Sequence, residues 1–318
     1  MRVLVAPQEL KGTLTAAQAA EAISRGILAA LPEAEVDLAP VADGGPGTVD
    51  AFARATGAAV VEIPAEDPLG RTVQATFAIQ GERAVIEMAA ASGLWRLAPE
   101  ERDPRRASTR GTGQLAAAAL HLGCRELWIG LGGSATSDGG AGALEALGAR
   151  FLDAGGNPLP PGGAALARLE RVDLAAVEAR LREAKMVALT DVRAPLFGPS
   201  GAAVVFGPQK GASPEVVAEL DRAMERLHQV VLGQLGRDLA SAPGAGAAGG
   251  LGYGLLALAG AEVRDGFAAV AELLGLRELI RRADVVVTAE GRFDGQTAMG
   301  KGPSALAVMA SEERRPTV

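Results

Sequence analysis

Lysine is rare in this chain, and where it stands is the first chemical signal. Of 31 basic residues only four are lysines, Lys11, Lys185, Lys210 and Lys301. Three of them directly precede glycine, in Lys11-Gly12, Lys210-Gly211 and Lys301-Gly302. An ammonium is a compact point charge that reaches a phosphate oxygen where a planar guanidinium does not fit. One such pair is an ordinary turn. Three pairs in loops that follow apolar or glycine-rich runs point to anion binding. The acids show a matching pattern, because Asp43, Asp138, Asp191 and Glu290 each lie just beyond an apolar, strand-like run. Ligands of open α/β sheets bind at that end of the strands. For any single Asp the competing role is an Asx-turn or a helix cap.

Together these residues suit a phosphorylated ligand held with Mg2+. Magnesium takes oxygen ligands, usually one or two carboxylates plus substrate phosphates. Phosphoryl transfer asks mainly for positioning and charge neutralisation. The chain has only two histidines, His121 and His228, so a hydroxyl proton would pass to Asp or Glu. Glycines are numerous, 42 in 318 residues, and they cluster. Without a Cβ they let backbone N–H groups approach an anion closely. No G-x-x-x-x-G-K-[ST] phosphate loop occurs, and no G-x-G-x-x-G follows the first strand, which weakens a dinucleotide-dependent reductase as a reading.

The elements that position these residues follow from pattern. Arg2–Ala6 reads as a buried strand. Thr15–Leu31 reads as a helix with Thr15 as N-cap and Pro32 as stop. Further strands are expected at Val36–Val41, Ala58–Ile63, Thr72–Ile79, Ala84–Met88, Glu126–Leu131, Met186–Thr190 and Asp284–Thr288. Helices are expected at Gln114–Leu122, Ala141–Leu147 and Pro214–Leu235. Strands alternating with helices mean α/β with a largely parallel sheet. The β-rich stretch from Gly57 to Ala91 indicates a second domain. Trp95 and Trp128 are assigned to the core, Cys124 to a buried apolar role, His121 to a helix end and His228 to a helix surface. Arg102–Arg106 reads as a solvated loop.

Composition excludes several classes. The chain carries a net charge of −7 and a pI near 5.1 with no basic run, which argues against nucleic-acid binding. One cysteine permits no intramolecular disulfide and no cysteine-based zinc site. The longest uncharged stretch, Leu239–Ala261, is too rich in glycine to read as a membrane span and is taken as a glycine-rich loop feeding a buried helix. MRVLVAP is too short an apolar run for a signal peptide, so a cytoplasmic protein is expected.

Motifs along nearly the whole chain resemble those of the bacterial glycerate kinase family. They are Ala6-Pro7 with Lys11-Gly12, Ala42-Asp43-Gly44-Gly45, Ile86-Glu87-Met88-Ala89, Gly111-Thr112-Gly113, Gly132-Gly133-Ser134-Ala135-Thr136 with Asp138-Gly139-Gly140, Phe206-Gly207-Pro208-Gln209-Lys210-Gly211, Pro243–Gly252, and Glu290-Gly291-Arg292 with Asp294. The resemblance implies ATP-dependent phosphorylation of D-glycerate with Mg2+, to 2-phosphoglycerate or in some members 3-phosphoglycerate. It implies a discontinuous Rossmann-like domain, placed at 1–60 and 270–318, a second α/β domain at 61–269, and an active site in the cleft between them. On this basis Lys11 and Lys210 are expected to contact phosphate oxygens. Asp43 and Asp191 are candidates for metal ligation or for the base. Glu290 and Asp294 are further metal candidates flanking Arg292, which would bind the substrate carboxylate bidentately. Gly132, Gly133 and Ser134, with Gly246, Gly249 and Gly250, are candidate nucleotide cradles.

Two departures qualify the resemblance. The family's Asp-Ser-Phe-Lys-Gly reads Gln8-Glu9-Leu10-Lys11-Gly12 here. The chain also stops at Arg315-Pro316-Thr317-Val318, where the family continues into another strand. Loss of that strand would leave an apolar edge, and pairing of that edge, for instance with another copy of the chain, is expected. The readings left open are a kinase of another small hydroxy acid and a non-catalytic phospholigand-binding relative.

Overall fold

The computed structural model describes residues 1–10, 13–291 and 302–318. The chain divides into two compact units, Met1–Ala58 with Asp265–Val318, and Ala59–Arg264.

The first unit begins with β1 (Arg2–Val5), α1 (Ala16–Ala30), β2 (Glu35–Leu38) and α2 (Thr48–Thr56). Thr15 caps α1 through a capping box: its hydroxyl accepts from the Gln18 amide, and the Gln18 side chain accepts from the Thr15 amide. That satisfies two of the four amides a helix start leaves unpaired.

The second unit carries β3 (Ala59–Glu66), β4 (Thr72–Gln80), β5 (Arg83–Glu87), α3 (Ala89–Ser92), α4 (Arg110–His121), β6 (Glu126–Gly130), α5 (Ala141–Ala146), β7 (Arg150–Leu152), β8 (Arg171–Asp173), α6 (Ala175–Leu181), β9 (Lys185–Leu189), α7 (Ala202–Phe206), α8 (Pro214–Leu235), α9 (Ala247–Ala259) and β10 (Glu262–Arg264). Its six-stranded sheet runs β10-β9-β6-β5-β4-β3. The first four are mutually parallel, and the hairpin β3–β4 closes the edge antiparallel. The core is aliphatic, with Leu115, Leu127, Ile129, Leu144 and Leu227 completely buried.

The chain then returns to the first unit with α10 (Gly266–Leu273), α11 (Leu276–Arg282), β11 (Val285–Val287) and α12 (Pro303–Glu312). The sheet there is parallel in the order β11-β1-β2. Its small core joins Val3, Val5 and Ala20 to Ile23, Ile27, Val285 and Val287. The edge of β11 is not bare. Pro316–Val318 runs parallel beside it, with the Val286 amide on Pro316 O at 2.9 Å and the Thr288 amide on Val318 O at 2.9 Å.

Three sequence expectations need correction. Trp95 is 63% exposed rather than in the core. Its indole N–H donates to Ala89 O at 2.9 Å, and the Arg96 guanidinium lies 4.2 Å over the ring. His228 is buried rather than on a helix surface. Its Nδ1 sits 3.1 Å from the Tyr253 hydroxyl and its Nε2 3.4 Å from Asp238. The short strands β7, β8 and β10 stand where no strand was expected, each only three residues long. Among the described residues no helix is long and apolar enough to cross a membrane.

Candidate active site

In the first unit the strand ladder continues past the strand ends and brings three segments side by side. The Ala6 amide donates to Val287 O and the Gln8 amide to Ala289 O, both at 2.8 Å. The Val41 amide donates to Pro7 O at 3.0 Å. Gln8, Asp43 and Glu290 therefore lie along the C-terminal edge of one parallel sheet. Asp43 forms an Asx-turn, its Oδ1 accepting from the Gly45 amide at 3.2 Å. Oδ2 lies outside that turn. The Thr48 side chain closes the same loop on Gly45 O at 2.7 Å and starts α2. The Gln8 side chain packs against Gly302, where a Cβ would meet its Oε1 at 2.2 Å. Lys11, Arg292 and Asp294 lie outside the described residues.

In the second unit the same edge is built by three backbone bonds. The Met88 amide donates to Gly130 O, the Leu131 amide to Leu189 O and the Thr190 amide to Arg264 O, at 2.9, 3.1 and 3.1 Å. The edge thus aligns Ser92–Gly93, Gly132–Ser134 and Thr190–Asp191. Gly93 and Ser134 form an isolated bridge, with the Leu94 amide on Gly133 O at 2.9 Å. Gly133 is exposed, with a φ of 77°, and Gly132 and Ser134 are half-buried. Asp191 is half-buried directly after β9. This edge offers backbone N–H groups of a glycine turn and a carboxylate, the parts phosphate and Mg2+ require.

The rest of the glycine stretch is closed. Residues 135–140 are buried, and their centre is Asp138. Its carboxylate accepts from the Thr109 amide at 2.8 Å, the Thr109 hydroxyl at 2.9 Å, the Gly140 amide at 3.1 Å and the Gly142 amide at 3.2 Å. The Thr109 hydroxyl in turn accepts from the Ala143 amide. Asp138 therefore serves the starts of α4 and α5 together, a carboxylate at two positive helix ends. Burial pushes its pKa up, against the pull of these donors. Both oxygens take backbone N–H groups, which suits the ionised form. Nearby Glu145 is pushed up to about 7 by burial and by Asp138, with Arg110 opposing.

Lys210, expected to reach a phosphate, is enclosed, only 1% exposed. It ends a single 3₁₀ turn, Pro208–Lys210. Its ammonium donates to Thr136 O at 2.6 Å. Burial lowers its pKa to about 7, with Asp138 opposing.

Gly246, Gly249 and Gly250 are buried as well. A Cβ on Gly249 would lie 2.0 Å from Thr136 O, and one on Gly250 2.9 Å from Gly139 Cα. Ala248, Gly249 and Gly250 are all left-handed, with φ of 53°, 64° and 89°. They serve a close backbone crossing, the Gly139 amide donating to Gly249 O at 3.1 Å.

A cavity of about 550 Å³ opens in the second unit between the β3–β4 turn and the start of α4. Arg105, Arg106, Arg168, Ser108 and Glu66 line it, so its charge favours an anion. The sequence reads Arg105 and Arg106 as part of a solvated loop that could also edge a cleft, and gives no sign of Arg168. A larger cavity, about 740 Å³, lies at the opposite end of the strands near His121, Arg125 and Arg182, away from the carboxylates. Among the described residues no three acidic, His or Cys side chains surround a cation position. Magnesium held mainly by nucleotide phosphates needs no such cage.

Parallel α/β sheets whose C-terminal edges carry glycine turns and single carboxylates offer the groups that phosphoryl transfer uses. The chain belongs to the glycerate kinase family, whose model matches residues 3–318. It is 43% identical over its full length to the glycerate kinase of Bacillus subtilis (strain 168), spanning 84% of that protein. It is 42% identical to the glycerate 2-kinase of Escherichia coli (strain K12), again across 100% of this chain and 84% of the relative. A crystal structure from Salmonella typhimurium LT2, provisionally named glycerate kinase 2, superposes with a TM-score of 0.90 at 42% identity, covering 100% of this chain and 85% of that one. The protein is thus a kinase, with ATP as cosubstrate.

Proposed function

We propose that this chain transfers the γ-phosphoryl group of ATP to the 2-hydroxyl of D-glycerate, giving 2-phosphoglycerate and ADP. The observation that carries this reading is the 42% identity, over the whole chain, to a relative named glycerate 2-kinase. The Gly132–Ser134 turn, exposed at Gly133, would bind phosphate oxygens through backbone N–H groups. Asp43, Asp191 and Glu290 are the proposed carboxylates for Mg2+ and for the hydroxyl proton. Oδ2 of Asp43 lies outside its Asx-turn and so suits either task. A bound Mg2+ would neutralise charge on the transferring phosphoryl group. As the substrate oxygen attacks phosphorus, its proton passes to one of these carboxylates, and the bond from the γ-phosphorus to ADP breaks. Lys11, Arg292 and Asp294 are proposed as phosphate, carboxylate and metal contacts. ATP as donor fits a cytoplasmic site of action.

The product decides the finer point. Two-dimensional ¹H–³¹P NMR of the reaction with D-glycerate should couple phosphorus to the C2 proton. Coupling to the C3 methylene protons would replace 2-phosphoglycerate by 3-phosphoglycerate. A panel of small hydroxy acids should show D-glycerate turned over best.

A further inference from the structure

We propose that Lys210 and Asp138 are positioning residues for phosphoryl transfer, fixing the Gly132–Ser134 turn from behind and touching no substrate. The inference rests on the reading that this turn binds nucleotide phosphates. The geometry points to it in three ways. Both side chains are fully enclosed, at 1% and 0% exposure, while the turn they stand behind is exposed at Gly133. Lys210 holds the carbonyl of Thr136, two residues past that turn. Asp138, two residues further on, is tied to the starts of two helices by four donors.

Thr136 O is the junction. It accepts from the ammonium on one side and meets the backbone of Gly249 on the other. A carbonyl so placed cannot move without breaking the bond from Lys210 or colliding with the left-handed Gly249. Lys210 is itself anchored, since Gly211, at φ 91°, lies where a Cβ would meet Arg102 O at 2.7 Å. Residues from Thr136 on thus have one arrangement, and the turn is held between that fixed chain on one side and the Gly93–Ser134 bridge on the other. Fixed donors aimed at developing charge are what phosphoryl transfer requires.

The scarcity of lysine supplies the test. Reductive methylation of the native wild-type enzyme, read by mass spectrometry of peptides, reports the four lysines one by one. Lys185, exposed beside Glu262, should label fully. Lys210 should stay unlabelled with or without Mg-ATP and label only in urea. Labelling of Lys210 in the native protein, with protection by Mg-ATP, would make it a phosphate ligand and overturn the proposal. Kinetics give a second reading. Lys210→Met should lower kcat at least about 10-fold and change the KM for Mg-ATP less than about 3-fold. An unchanged kcat in a folded variant would also overturn it. A rise in that KM with kcat retained would overturn it too. Should Lys210→Met fail to fold, the labelling of wild-type protein still decides. If wild-type enzyme shows no glycerate turnover, the proposed function fails, and methylation still reads separately whether Lys210 is enclosed.

Discussion

Glu145 illustrates how burial in one knot of side chains reaches the stability of the whole chain. Its pKa rises from 4.5 to about 7, first through burial and then through Asp138. Between those values the native protein holds a proton that the unfolded chain has lost. The stabilisation from Glu145 is therefore complete below pH 4.5 and fades as pH rises through 7. Glu145→Gln keeps a neutral side chain at every pH. Its unfolding free energy in urea should gain on wild type by about 1–2 kcal/mol between pH 5 and pH 8. Parallel pH profiles would contradict the assignment. At the edges, Asp43→Asn and Asp191→Asn should each lower kcat/KM at least about 100-fold, or ~2.7 kcal/mol, with folding intact by circular dichroism. Full turnover in both would remove them from the site. Residue types and positions were readable without coordinates, but the direction of a side chain was not. Lys210 was marked by its rarity, yet nothing in Lys-Gly tells whether the ammonium faces a ligand or a carbonyl. His228 sits on the apolar stripe of α8 beside Met224, Leu227 and Val231. Its polar partners Tyr253 and Asp238 lie beyond the helix, where the stripe gives no sign of them.

Glycine acts differently from element to element. In α1, a Cβ at Gly26 would meet nothing within 4 Å, so Gly26→Ala should stabilise by about 0.5–1 kcal/mol through helix propensity. Gly249 is the opposite case, left-handed and against Thr136 O. Gly249→Ala should cost about 2–4 kcal/mol, by strain and overpacking together. Chemical denaturation of the two variants side by side reads both signs, and equal effects would refute the distinction. Composition found the glycine runs and placed them after strands. It could not separate an exposed glycine turn from a backbone crossing against another backbone, so Gly132–Ser134 and Gly249–Gly250 looked alike. Long elements such as α8 were legible from their apolar stripe. Strands of three residues were not, because so short a segment shows no period.

At the scale of the molecule, the first unit is assembled from both ends of the chain. The Arg2 amide donates to Asp284 across 282 positions, and β1 lies between β2 and β11. Alternating strands and helices made the α/β class legible. Pairing between chain ends was carried by family resemblance, because local pattern says nothing about partners so far apart. Residues Pro316–Val318 complete the pairing of β11. Deleting those three should deprotect the Val286 and Thr288 amides in hydrogen exchange while leaving β5, β6 and β9 protected, and unchanged protection would contradict the pairing.

The central claim is that this chain is a glycerate kinase. It is tested most directly by ADP release from Mg-ATP by the 318-residue chain, with and without D-glycerate. The account predicts ADP formation that depends on glycerate and matches phosphorylated product one to one. Folded protein that binds ATP and releases no more ADP with glycerate than without it would contradict the account.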